Sequence, residues 1–291
     1  MIMGHLVIDR DVDRPKGANR NTRFNRGAAR TGRSMSQLLG WGCIRLLVCI
    51  VSVSSLSQTV SGSAVVAIMT GTEIVVAADS QGEFTDKGKT STVNYCKIRQ
   101  IETAVFVCAG LVRVNEAKYD AYTIIPESIK GINSFAGKVA AAENNMMPLL
   151  TQAMRYLKRN RAEEFAREYE LQPAVTFMLF GIENQTLKFA MRQFNVRTVD
   201  SDEISISITK TDWPESPVKP LIAYAGRVEE IRAYLAQHRS FDRLRPSELA
   251  RFLVTMEIIE RQDVAGPIDI LSIDRAGNPH WIERKPDCDR Q

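Results

Sequence analysis

Metal-ligand spacing is missing from this sequence. Its three histidines, His5, His238 and His280, lie far apart, and no Cys or His pair is placed as a zinc site would need. There is no GxGxxG run and no P-loop, which removes the common phosphate-cradling motifs. No metal and no cofactor are expected. Cysteine is scarce: of five, only Cys96, Cys108 and Cys288 lie beyond the amino-terminal segment. An odd number without CxxC reads against a disulfide framework, even in an oxidising compartment. Cys96 and Cys108 adjoin apolar runs and read as buried small hydrophobes. No apolar run reaches the about 20 residues of a membrane span.

What is present begins with charge. The 291 residues carry a net charge of +4. Residues 1–34 hold eight Lys and Arg against three Asp and Glu, or +5, which leaves −1 for residues 35–291. The basic character therefore belongs to the leader, and a nearly neutral body argues against a nucleic-acid surface. Residues 1–34 have no apolar period and read as a disordered basic leader. Residues 35–62 read as a signal peptide. Met35 is an alternative start, Arg45 gives a positive flank, and the apolar run Leu46–Leu56 is followed by small polar residues. Cleavage fits after Gly62 or after Ser57. The expected location is exported, periplasmic or secreted. The alternative is membrane attachment through an uncleaved leader. A body over residues 63–277 and a carboxyl-terminal tail over 278–291 complete the expected organisation.

Within the body, Ala64–Met69, Ile74–Ala78 and Ala104–Ala109 are continuously apolar, as in strands covered on both faces. Residues 82–94 read as a polar loop or weak hairpin. Val139, Ala142, Met146, Leu149, Ala153 and Leu157 step by three or four, the mark of one buried helix face, with Pro148 as an expected kink. Residues 158–172 read as a charged continuation. Strands are expected at Ala174–Phe180, Leu187–Arg192, Ile204–Thr209, Leu221–Ala225 and Ile268–Ile273. Helices are expected at Val228–Gln237 and from Pro246, the second with Leu249, Phe252, Leu253, Met256 and Ile259 on one side. This order of strands, helices, strands, helices and strand is that of an α+β fold with helices outside two sheets.

Three stretches, "TEIVVAADS" (Thr72–Ser80), "CKIRQI" (Cys96–Ile101) and "VFVCAGL" (Val105–Leu111), resemble the opening of a proteasome β-subunit. "RQDVAGPIDILSI" (Arg261–Ile273) is more loosely similar to that family's late turn and last strand. The resemblance implies the N-terminal-nucleophile hydrolase fold, a four-layer αββα sandwich. It also implies a nucleophile at residue one of the mature chain, with a catalytic Asp sixteen residues later. Counting back sixteen from Asp79 gives Ser63, preceded by Gly62. A hydroxyl needs a base to be a nucleophile near neutral pH. A free α-amino group, titrating at about 7.7–8.0, is a suitable one within reach of its own side chain. The resemblance further assigns Lys97 as the fixed ammonium, Asp79 as its partner and Gly110 as an oxyanion-facing backbone N–H. Asp263 would orient the amino terminus, and Cys108 would line the substrate pocket.

Taken singly, each has a plainer reading: Asp79 as a strand-end residue, Lys97 as a solvated charge, Gly110 as a turn glycine. There are also departures from the family pattern. Gln81 stands where an Arg is common, and the two serines that support the amine have Ala225 or Gly226 and Ala265 as their counterparts. Two functions are therefore expected in competition. One is an exported amidohydrolase or peptidase acting on a peptide or small amide. The other is a catalytically silent protein of the same fold that works by assembly, as a homo-oligomer, or by binding.

Overall fold

A computed structural model describes residues 59–61, 63–86, 89–170, 172–200, 203–214, 219–238, 244–261, 264–286 and 288. All lie within one compact unit. The basic leader, most of the signal-like segment and Asp263 lie outside the described residues. No described helix is long and apolar enough to cross a membrane.

The chain enters through β1 (Thr59–Ser61), then the hairpin of β2 (Ala64–Met69) and β3 (Glu73–Ala78). A second hairpin, β4 (Gln81–Asp86) and β5 (Lys89–Asn94), occupies the stretch that reads as a loop or weak hairpin. Next come β6 (Arg99–Ile101), β7 (Ala104–Gly110) and two short strands, β8 (Arg113–Val114) and β9 (Tyr119–Asp120). Three helices follow: α1 (Ala121–Ile129), α2 (Phe135–Asn160) and α3 (Ala162–Glu168). The strands β10 (Val175–Glu183), β11 (Thr186–Thr198), β12 (Ile204–Trp213) and β13 (Leu221–Gly226) then run in succession. Helices α4 (Glu229–Gln237) and α5 (Pro246–Glu260) precede the last hairpin, β14 (Asp269–Asp274) and β15 (Pro279–Glu283). The fold is α+β.

The strands make three antiparallel sheets, ordered β13-β2-β3-β14-β15, β12-β11-β10-β7-β6 and β5-β4-β1-β8-β9. Alternation along the strands divides the apolar side chains among three cores. Val65, Ala67, Val76 and Ala78 meet Val105, Val107, Ala109 and Met178 between the first two sheets. Their neighbours Val66, Ile68, Val75 and Ala77 face Ile231, Leu249 and Leu253 of α4 and α5. Phe106, Cys108 and Phe177 face α1 and α2. Both faces of β2 and β3 are thus covered, which is why their sequences are apolar without a break. By contrast, β12 alternates because one of its faces meets solvent.

Four expectations change. Leu150, not Leu149, lies fully in the buried stripe of α2, and the helix runs unbroken through the exposed Pro148. The charged stretch after it is a separate helix, because the backbone at Arg161 leaves helical geometry. On α5 the buried face is Leu249, Ala250, Leu253, Val254 and Glu257, while Phe252 is 40% and Ile259 is 73% exposed. The described part of the expected tail at 278–291 is not separate: β15 completes the first sheet, and Lys285 and Cys288 are buried beyond it.

Candidate active site around Ser63

The register of one hairpin explains the sixteen-residue spacing. In β2–β3, Val65 pairs with Ala78, so the next positions out, Ala64 and Asp79, also stand opposite one another. The Asp79 N–H donates to the Ala64 carbonyl at 3.2 Å, and the Ala64 N–H donates to Asp79 Oδ1 at 2.7 Å. The carboxylate thereby holds the peptide that immediately follows Ser63. The same Oδ1 accepts from Lys97 Nζ at 2.6 Å, and Oδ2 accepts from the Gln81 N–H at 3.2 Å. Neither side chain of the ion pair reaches solvent. Burial pushes the Asp79 carboxyl above its ordinary value, against the attraction of Lys97. Burial likewise pulls the Lys97 ammonium below its ordinary value, against the attraction of Asp79.

Ser63 itself is buried. Its carbonyl accepts the Arg227 N–H at 2.7 Å, just beyond the end of β13. Gly226 has φ +91°, and a Cβ there would lie 1.9 Å from the Ser63 carbonyl oxygen and 3.3 Å from the Ala109 methyl. Only glycine permits this approach. Of the two counterparts offered for that supporting serine, Ala225 and Gly226, the glycine therefore has no room for a side chain. Tyr95 is half-buried with its hydroxyl end enclosed. Burial pushes its phenol up, and the neighbouring Ser63 side chain works the other way.

Gly110 ends β7, next to Ala109, with φ +88°. A Cβ there would come within 2.5 Å of the Ala174 carbonyl. The end of β7 therefore closes on the same corner as Ser63 and Gly226. The turn at residues 264–267 closes another side: the Ala265 carbonyl accepts the Ser80 N–H at 3.3 Å and the Gln81 N–H at 3.0 Å, and the Ser80 hydroxyl donates to the Pro267 carbonyl.

Upstream of Ser63, β1 lies hydrogen-bonded between two other strands. Ser61 and Val60 stand opposite Glu83 and Phe84 of β4, and Val60 and Thr59 opposite Arg113 and Val114 of β8. In the intact chain, then, the residues before Ser63 fill a slot between the β4 and β8 edges.

Ser63, Asp79 and Lys97 come together, with Gly110 on the adjoining strand end. Cys108 does not line a pocket. Its side chain is fully buried in the core under α1 and α2, and burial pushes its thiol up, away from reactivity. Cys96 is not a lone small hydrophobe but is cross-linked to Cys288, with 5.5 Å between the Cα atoms. Three cysteines outside the leader allow one bridge and one buried thiol, so the odd count did not exclude a disulfide. Sequence reading also missed Tyr95, Asp269 and Lys285, and it named Gly226 only as a counterpart of a supporting serine. None of the three carries a local signal in the sequence. Among the described residues, no group of three or more His, Cys, Asp or Glu side chains is placed to hold a metal ion.

No family model and no curated protein matches the chain. Solved structures similar to it include several of Anbu. One is a Gly-1 mutant from Hyphomicrobium sp. strain MC1, 16% identical, covering 76% of this chain and 87% of that one with a TM-score of 0.42. A helical assembly from Pseudomonas aeruginosa is 14% identical, with coverage of 77% and 87% and a TM-score of 0.48. Anbu from Yersinia bercovieri, described as an ancestral beta-subunit, is 14% identical, with coverage of 77% and 88% and a TM-score of 0.41. These findings correct the resemblance drawn from the motifs. With no matching family model and identities of this size, the chain is not assigned to the proteasome β-subunit family.

Proposed function

We propose that this chain is an amide hydrolase or peptidase whose nucleophile is Ser63, exposed by cleavage of the Gly62–Ser63 bond. The observation that carries the reading is the Asp79 carboxylate, which grips the peptide after Ser63 and the Lys97 ammonium together. In the processed chain the free amine of Ser63 takes the proton of its own hydroxyl, and the oxygen attacks an amide carbonyl. The Lys97 ammonium, held in place by Asp79, supplies a positive charge beside the forming alkoxide. A backbone N–H at Gly110 stabilises the tetrahedral oxyanion. Collapse breaks the carbon–nitrogen bond, and the amine gives its proton to the leaving nitrogen. An ester on Ser63 remains, and water, deprotonated by the same amine, hydrolyses it.

The reading includes a substrate mode. Cleavage removes β1 from between β4 and β8, and the two freed edges are suited to pair an extended peptide by main-chain hydrogen bonds. It also includes four stacked layers, αββα, supported by the three separate apolar cores. Export is supported by the Cys96–Cys288 cross-link, since such bonds persist mainly in oxidising compartments.

The test is Ser63→Ala in the processed protein. It should retain the fold and lose amide hydrolysis and labelling by a β-lactone; undiminished activity would sink the proposal. A silent assembly or binding protein is the second reading. Gly226 favours it, because a side chain at that position would strike the Ser63 carbonyl, so no serine can stand there to support the amine. It requires a defined oligomer and no acylation of Ser63.

A further inference from the structure

Lys97 sits on residues 95–98, an irregular stretch between β5 and β6 with no ladder of its own. Its backbone must therefore be fixed by other groups. The Tyr95 N–H donates to the Ser80 carbonyl at 3.0 Å, and the Tyr122 hydroxyl donates to the Lys97 carbonyl at 3.0 Å. Arg99 Nε donates locally to the Cys96 carbonyl at 3.4 Å, and two further ties come from the far end of the sequence. Lys285 Nζ donates to the Tyr95 carbonyl at 2.7 Å, and Cys96 is bonded to Cys288.

Lys285 is anchored in turn by Asp269. Its backbone N–H donates to Asp269 Oδ1 at 2.9 Å, and its Nζ lies 3.7 Å from Oδ2. Asp269 opens β14 opposite Ala78, the residue before Asp79. A second buried ion pair, Asp269–Lys285, thus lies alongside Asp79–Lys97 and joins the two strand ends that carry it. The turn at residues 284–288 is closed by Arg284, which donates to the Cys288 carbonyl at 3.0 Å and lies over the Trp281 ring.

We propose that Lys285 is a positioning residue for Lys97, and that the Cys96–Cys288 cross-link holds it in place. The carboxyl-terminal segment is then part of the site. The inference rests on the reading of Lys97 as the ammonium beside Ser63, but it can be tested separately. The charged and titratable groups facing Lys97 include Asp79, Tyr95, Tyr122, Asp269 and Lys285. The Lys285 charge opposes the Lys97 charge, and its loss lets the Lys97 titration move up.

The experiment uses the processed protein with isotope-labelled lysine, as wild type, Lys285→Met, Lys285→Arg and Cys288→Ser. Nuclear magnetic resonance reads the Lys97 titration. A β-lactone reads the maximal rate of Ser63 acylation separately from its half-saturating concentration. In Lys285→Met the Lys97 midpoint should rise. The maximal acylation rate should fall about 10- to 100-fold, as misplacement by an ångström or so implies, with half-saturation unchanged. Lys285→Arg should restore both, and Cys288→Ser should show the same changes more weakly. An unchanged Lys97 midpoint in Lys285→Met overturns the inference whatever the acylation rate. If Lys285→Met does not fold, an unchanged midpoint in Cys288→Ser overturns it instead. Wild-type protein that is never acylated sinks the functional reading, while the midpoint still decides the role of Lys285.

Discussion

At the scale of single residues, the Asp79–Lys97 pair dominates. Removing one member of a buried pair leaves the other charge without a partner, at a cost of about 3–5 kcal/mol. Asp79→Asn should therefore lower unfolding stability by about that amount in a denaturant titration. The double variant Asp79→Asn, Lys97→Met should lose less than the sum of the two single losses. A second buried carboxyl, Glu257 on α5, accepts the Ile231 N–H at 2.8 Å in the first turn of α4. Burial raises its proton affinity above the ordinary carboxylate range. The folded state then holds this proton more tightly than the unfolded state. Relative to Glu257→Gln, wild-type stability should be highest at low pH and decline as pH rises from the ordinary value through the raised one. Thermal unfolding of both proteins across that range reads the sign, and a difference that grows with pH would contradict it.

Among elements, the placement of β1 leads to a direct expectation. If its removal opens a strand slot, a synthetic peptide covering residues 55–62 should compete with substrate for the processed protein. Raising the peptide concentration should slow Ser63 acylation, and raising the substrate should reverse the effect. The elements were legible in proportion to how local their causes are. The hairpin β2–β3 announces itself by uninterrupted apolar residues, and its register alone sets Ala64 against Asp79. The stripe of α2 follows from its period, although Leu149 and Leu150 both satisfy it and only the folded core separates the fully buried Leu150 from the partly buried Leu149. On α5 the period pointed to Phe252 and Ile259, but the face packed on β2 and β3 is that of Leu249, Ala250, Leu253 and Val254, while Phe252 only rests its ring edge on Tyr234 of α4. The Cys96–Cys288 bridge was not legible, because 192 residues separate its ends and only the folded sheet brings β15 beside residues 95–98.

On the scale of the whole molecule, the amino- and carboxyl-terminal parts of the body meet at one site. Ser63 opens the first strand of the central hairpin, and Cys288 closes the chain onto the residue beside Lys97. A bridge across so long a loop restrains the unfolded chain strongly, by about 2–5 kcal/mol for native disulfides. Cys288→Ser, or reduction by a dithiol, should lower the unfolding midpoint correspondingly. The central claim is that a cut before Ser63 frees both the nucleophile and its base. The measurement that tests it most directly is the mature amino terminus, by intact mass and terminal sequencing of protein made with its own leader. The account predicts a chain that begins at Ser63. A stable chain that begins at Gln58 or further upstream would leave Ser63 without its amine and β1 in its slot, and would contradict it.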